Sequence, residues 1–157
     1  MWSAGGWWTR QRPAWPAEQL AGCMAHAFKI LIIDDDPSIL ETVTDLLKAA
    51  GYQALAGLGG AQGLSLARTE RPDLILVDYH MPVMDGSAVA ERLRADETTR
   101  RIPVVALTSS TAEDANKLVA AGCIGFIPKP FDAERFPGLV GEFLRATVAR
   151  KSRPASP

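Results

Sequence analysis

Leu74, Ile75, Leu76 and Val77 form an unbroken apolar run that stops at an acid, Asp78. A run of that length, with branched side chains and turn signals after it, reads as a strand buried on both faces. Such a strand needs helices above and below it, which argues for a layered α/β fold. Met81-Pro82 and Asp85-Gly86 mark a loop and a turn, and Ser87 is placed to cap the next helix. Asp78 therefore stands where a buried strand leaves the core.

The same alternation recurs along the chain. Phe28 to Ile33 is a first strand that runs into Asp34-Asp35-Asp36-Pro37. Asp36 is suited to the N-cap, with Pro37 at the first helical position. The helix that follows carries Ile39, Leu40, Val43, Leu46, Leu47 and Ala50 on one face and ends at Gly51. Tyr52 to Gly57 is predicted as a second strand, Gly59 and Gly60 as a loop, and Ala61 to Glu70 as a helix with Leu64 and Ala67 inward. Arg71-Pro72 stops that helix.

The third helix is predicted over Ser87 to Asp96, with Val89 and Leu93 inward. Ile102 to Leu107 is a fourth strand ending at Thr108, and Ser110 to Glu113 fits a capping box. The helix opened there carries Leu118 and Val119 and closes at Gly122. Ile124 to Ile127 is a fifth strand, followed by Pro128-Lys129-Pro130. A last helix, with Pro137 in its first turn, shows Val140, Phe143, Leu144 and Val148 on one stripe. Five strands alternating with five helices predict an open, doubly wound parallel sheet.

Residues 1–27 stand apart. They hold all four tryptophans, Trp2, Trp7, Trp8 and Trp15, among Gly, Pro and Arg, with neither helical nor strand periodicity. They are read as an accessory or disordered arm, or as translation begun upstream of the natural start. An aromatic docking arm is the alternative. Residues 28–148 are the folded domain, and 149–157 a basic, solvated tail. The net charge of -1 argues against a nucleic-acid surface. Cys23 and Cys123 lack metal-ligand spacing and read as free thiols of a reducing compartment, hence a cytoplasmic protein. No apolar run reaches the length of a membrane span.

In a sheet of this kind the ligand site lies beyond the carboxyl ends of the strands, where strand order reverses. Asp34 and Asp35 follow strand one, Asp78 follows strand three, Thr108 ends strand four and Lys129 follows strand five. If the order is 2-1-3-4-5, borrowed from flavodoxin-like folds, the three carboxylates face one another across the crevice. Clustered carboxylates raise one another's pKa unless a cation is present. Hard oxygen donors of this number suit Mg²⁺. With Lys129 and the Thr108 hydroxyl, they suit an incoming phosphoryl group, and Asp78 can be the attacking oxygen. The plainer readings are caps for Asp34, Asp35 and Thr108, a turn for Asp85, an exposed lysine for Lys129 and a loop residue for His80. Asp36 and Ser110 already serve as caps, and Lys129 is held between two prolines, which favours the site.

Residues 28 to about 148 resemble the receiver domain of two-component response regulators, the CheY-like type. The resemblance rests on Ile30 to Pro37, Leu74 to Gly86, Pro103 to Thr108 and Gly125 to Phe131, in that order and at those strand ends. It implies a flavodoxin-like (βα)5 fold with strand order 2-1-3-4-5. Asp78 would accept phosphate from a phosphohistidine on a histidine kinase or histidine phosphotransfer protein. Asp34, Asp35 and Asp78 would hold Mg²⁺, with the His80 backbone carbonyl as a further ligand. Thr108 and Lys129 would bind phosphoryl oxygens, Thr108 and Phe126 would be the switch pair, and Lys129-Pro130 would be a cis peptide. The surface of helix four, strand five and helix five would then change its protein partners.

These features lead to a stand-alone phosphoacceptor, a monomer or weak dimer, acting on an unknown downstream protein without direct nucleic-acid or membrane contact. It would be no enzyme beyond its own phosphorylation and autodephosphorylation. Two other readings are weighed against it. A receiver-like binding scaffold would lack one of Asp34, Asp35, Asp78 or Lys129, and none is missing. An aspartyl-nucleophile phosphohydrolase calls for an acid two residues after Asp78, where His80 stands.

Overall fold

Lys29–Asp34 (β1), Gln53–Leu58 (β2), Leu74–Asp78 (β3), Val104–Thr108 (β4) and Gly125–Pro128 (β5) pair in parallel, in the order β2-β1-β3-β4-β5. The computed structural model describes residues 28–109 and 112–152. The N-terminal arm, the Ser110 cap and the end of the basic tail lie outside them. The strands alternate with Pro37–Ala49 (α1), Gly59–Glu70 (α2), Gly86–Ala95 (α3), Ala112–Ala121 (α4) and Phe136–Ser152 (α5). This is the expected doubly wound flavodoxin-like sheet.

Successive strand residues point to opposite faces, so the central strands feed two cores. Ile30, Ile32, Leu74, Leu76, Val105, Leu107 and Ile127 pack on Leu40, Val43 and Leu47 of α1 and Phe136, Val140 and Leu144 of α5. Leu31, Ile33, Ile75, Val77, Val104 and Ala106 pack on residues of α2, α3 and α4, including Leu64, Leu93 and Leu118. Full burial of such a side chain contributes about 1.5–3 kcal/mol before chain entropy is counted. The sheet's central position is thus a direct consequence of its unbroken apolar runs.

Several local expectations shift. The helix after β2 begins at Gly59 rather than Ala61, because the Leu58 N–H is met by Gln62 Oε1 at 2.5 Å. The cap of α3 is Asp85, which accepts from the Ala88 N–H at 2.8 Å; Ser87 lies inside the helix and donates to the same oxygen. Ala50 is exposed, and α5 starts at Phe136 and runs through Ser152, past the expected domain end at 148. Ala149 and Arg150 are good helix formers, so nothing stops the helix where its apolar stripe ends. Asp36 caps α1 as expected, accepting from the Ser38 N–H at 2.9 Å.

Because all five strands are parallel, their carboxyl ends share one edge. That edge gathers Asp34, Asp78, Thr108 and, one residue past β5, Lys129.

Candidate phosphoryl-acceptor site

β1 and β3 are neighbours in the sheet, so Asp34 and Asp78 end adjacent strands. Asp34 is 1% exposed and Asp78 5%, whereas Asp35, one step into the loop, is exposed. One carboxylate oxygen from each of the three acids lies within 4.8 Å of the others. Lys129 reaches in from the end of β5. Its Nζ donates to Asp78 Oδ1 at 2.8 Å and stands 3.7 Å from Asp34 Oδ2. The Lys129-Pro130 peptide is cis, and the Lys129 N–H bonds the Thr108 carbonyl at 2.8 Å. Thr108 is buried at the end of β4.

Lys129 stands against two of the three carboxylates, bonded to Asp78 and farther from Asp34. Asp34 Oδ1 accepts from the Asp36 N–H at 3.0 Å, but its buried Oδ2 receives no hydrogen bond. Burial pushes the Asp34 carboxyl up from 3.8 to about 6; Asp78 and Asp35 add to the push, while the Asp36 N–H and Lys129 oppose it. A buried, under-bonded carboxylate among like charges favours any cation that can reach it.

The other expected residues fall around this centre. His80, two residues past Asp78, has an exposed ring edge-on to Tyr79 at 4.8 Å between centroids. Phe126, in β5, is 43% exposed and faces outward. The clefts of about 510 Å³ between α2 and α3, and about 390 Å³ between α3 and α4, are lined by other residues. The acids sit at an open edge, not in either cleft.

Two contributors escape a reading of the sequence alone. Gly86, expected as a turn residue, is a contact: a Cβ there would meet the Asp78 carbonyl oxygen at 2.7 Å and Tyr79 Cα at 2.8 Å. Its N–H bonds the Tyr79 carbonyl at 2.9 Å, which ties the start of α3 to the end of β3. Tyr79 is itself buried; burial, then the nearby Asp114 carboxylate of α4, raises its pKa. The period of two through Ile75, Val77 and Tyr79 carries the signal for that burial.

The family model described as the response regulator receiver domain matches residues 30–140. The chain is 41% identical over 120 residues to the DNA-binding dual master transcriptional regulator RpaA of Synechocystis, covering 76% of this chain and half of that protein. It is 34% identical to the polar-differentiation response regulator DivK of Brucella anthropi, covering 73% of this chain and 94% of DivK. Among solved structures, the receiver domain of the Pseudomonas aeruginosa sensor histidine kinase PA1611 superposes with a TM-score of 0.69 at 28% identity. That match covers 76% of this chain and 98% of the other, which holds a magnesium ion in its active site cleft. No described helix is long and apolar enough to cross a membrane.

Proposed function

Since the chain belongs to the response regulator receiver family, the signalling domains of two-component phosphorelays, we propose that Asp78 is its phosphoryl acceptor, fed by a phosphohistidine on a partner kinase or phosphotransfer protein. The observation that carries this reading is the Asp34–Asp35–Asp78 cluster with Lys129 bonded to Asp78. The acids fit Mg²⁺: they are hard oxygen donors within 4.8 Å of one another, and the buried Asp34 Oδ2 has no hydrogen bond. Asp34, Asp35, Asp78 and the His80 backbone carbonyl would hold it. When bound, the ion offsets the charge of the phosphoryl oxygens.

Asp78 supplies the nucleophile. A carboxylate oxygen bonds to phosphorus as the P–N bond breaks, and the electron pair returns to the imidazole nitrogen of the donor. Lys129 starts on Asp78 Oδ1, within reach of the incoming phosphoryl oxygens. It balances part of the added charge, about -1.5 to -2. The Thr108 hydroxyl donates to a phosphoryl oxygen, and Phe126, now exposed, turns inward behind it. Contacts made only in the phosphorylated state shift the population of that state. The surface of α4, β5 and α5 then exchanges protein partners. In this reading residues 28–148 are the receiver unit, 1–27 and 149–157 are accessory, and the only reactions catalysed are self-phosphorylation and its hydrolysis.

Incubation with phosphoramidate, followed by intact mass spectrometry, tests the proposal. The expected result is an Mg²⁺-dependent phosphoryl adduct on the wild type that Asp78→Asn lacks. A folded, Mg²⁺-binding wild type that takes no adduct would falsify it.

A further inference from the structure

β2 is an edge strand and pairs with β1 alone. The Gln53 N–H bonds the Phe28 carbonyl at 2.9 Å, so Gln53, Leu55 and Gly57 turn their backbone groups toward β1. Ala54, Ala56 and Leu58 turn theirs outward. The chain meets the Leu58 N–H itself, through Gln62 Oε1. Among the described residues, Ala54 and Ala56 have no backbone partner on that outer side.

An open edge is a template for another strand, and folded proteins blunt such edges with charges, prolines or short length. The far edge of this sheet is blunted: β5 has 4 residues and ends in Pro128, which has no N–H to offer. β2 has 6 residues and none of these devices. Residues 49–67, which span β2 and most of α2, carry no charged side chain, although 22% of the chain is charged. Leu58, at the end of the strand, is 52% exposed.

The absence of charge narrows the occupant. A two-fold contact sets each group close to its own copy, so a charge near the axis meets a like charge. This edge has none to repel. It is also self-complementary in register. With Leu55 opposite Leu55 of an antiparallel second copy, Ala54 faces Ala56 of that copy and exchanges both N–H···O bonds with it. Ala56 does the same with Ala54 of the second copy. Tyr52 and Ala54 pack on the α1 side of the sheet, and Leu58 shares their face by the period of two. The same register therefore sets the exposed Leu58 beside Tyr52 of the second copy, an apolar cross-strand pair. We infer that β2 pairs antiparallel with β2 of a second copy, which joins two sheets into one across a two-fold axis. β5 lies at the opposite edge, so the pairing leaves the surface of α4, β5 and α5 open in both copies.

Sedimentation velocity of the full chain over a concentration series tests the pairing, on the wild type and on Ala56→Pro and Ala56→Lys. Proline at position 56 removes an outward donor and no bond to β1; lysine there sets a charge near the axis at an exposed position. Val119→Lys, on the exposed face of α4, is the control. The wild type is expected to dimerise, each Ala56 variant to weaken the dimer about tenfold or more, and Val119→Lys to leave it within about twofold. Amide exchange on the wild type reads the same contact without a substitution, so it decides even if a variant does not fold. Ala54 and Ala56 are expected to exchange more slowly as concentration rises. A wild type that stays monomeric up to about 1 mM would overturn the inference. So would a dimer that folded Ala56 variants leave as tight, one that Val119→Lys weakens as much, or concentration-dependent protection confined to residues outside β2.

Discussion

Asp85 and Asp96 flank α3, and Asp34 and Asp78 end β1 and β3. Asp85 Oδ1 accepts from the Ala88 N–H and the Ser87 hydroxyl, both at 2.8 Å; these bonds, the Ala88 N–H foremost, hold its pKa below the usual range. Asp96 accepts from the Thr98 hydroxyl and N–H and from Arg68, and is pulled down to about 2. Asp34 is held the other way. It is more deeply buried than either, one of its oxygens has no bond, and its pKa rises to about 6. The helix-end acids complete the backbone's own donors. Asp34, at the end of its strand, is left short of a donor, which disposes the acid cluster to bind something from outside.

The sharpest break between the two sets is chemical. Asp78→Asn is expected to abolish the phosphoramidate adduct completely while the protein still unfolds cooperatively on heating. Asp85→Ala and Asp96→Ala are expected to retain the adduct. Intact mass spectrometry on the three variants decides it. An adduct surviving in Asp78→Asn would move the reacting oxygen elsewhere.

Stability separates the sets by pH. Asp34 has a raised folded pKa, so its contribution is fully present below its unfolded value of 3.8 and is lost as pH rises through about 6. Ionised at pH 7, it costs the metal-free fold up to about 3 kcal/mol. Asp85 and Asp96 have lowered pKa values, and their contribution is lost only as pH falls below 3.8. Asp34→Asn is therefore expected to raise metal-free stability at pH 7 and to flatten the decline between about pH 4 and 6. Mg²⁺ is expected to stabilise the wild type more than the variant. Urea denaturation at several pH values, with and without Mg²⁺, measures both effects. Destabilisation by Asp34→Asn at pH 7 would erase the contrast.

Between the two sets lies Gly86, where α3 abuts the end of β3. Gly86→Ala places a methyl 2.7 Å from the Asp78 carbonyl oxygen, and backbone cannot yield as a side-chain tip does. A loss of about 1–3 kcal/mol is expected. Slower phosphoramidate labelling should accompany it, because relief of the clash moves Asp78. Equilibrium denaturation and labelling rates on the same sample would show whether the two effects travel together.

Most of this architecture was readable from the chain. The apolar runs ending at Asp34, Asp78 and Thr108 identify strands and place their last residues on one edge once parallel pairing is assumed. Gly51 and Gly122, at φ 97° and 106°, mark helix ends that punctuation alone predicts. What resisted reading depends on particular contacts in three dimensions. Leu58 finds its partner in Gln62, which moves the start of α2 back to Gly59. Phe136 is fully buried against Phe131, while Pro137 falls in the first turn of α5 as expected. The bare Asp34 Oδ2 is a property of three strands together, and no spacing in one dimension reports it.

The choice between Asp85 and Ser87 as cap of α3 gives the smallest and most local test. Both residue types cap helices well, so propensity cannot decide between them. The decision comes from Gly86, whose N–H bonds the Tyr79 carbonyl and whose missing side chain lets the helix begin against β3. The helix then starts two residues earlier than a Ser87 cap would allow, and Asp85 takes the cap. Asp85→Ala is accordingly expected to cost about 1 kcal/mol, since the Ala88 N–H loses its partner. Ser87→Ala should cost less, because its hydroxyl only supports the same Asp85 oxygen. If denaturation midpoints rank the two in the reverse order, the cap belongs to Ser87. Asp85 would then no longer stand as an acid satisfied by the backbone, and its contrast with Asp34 would weaken with it.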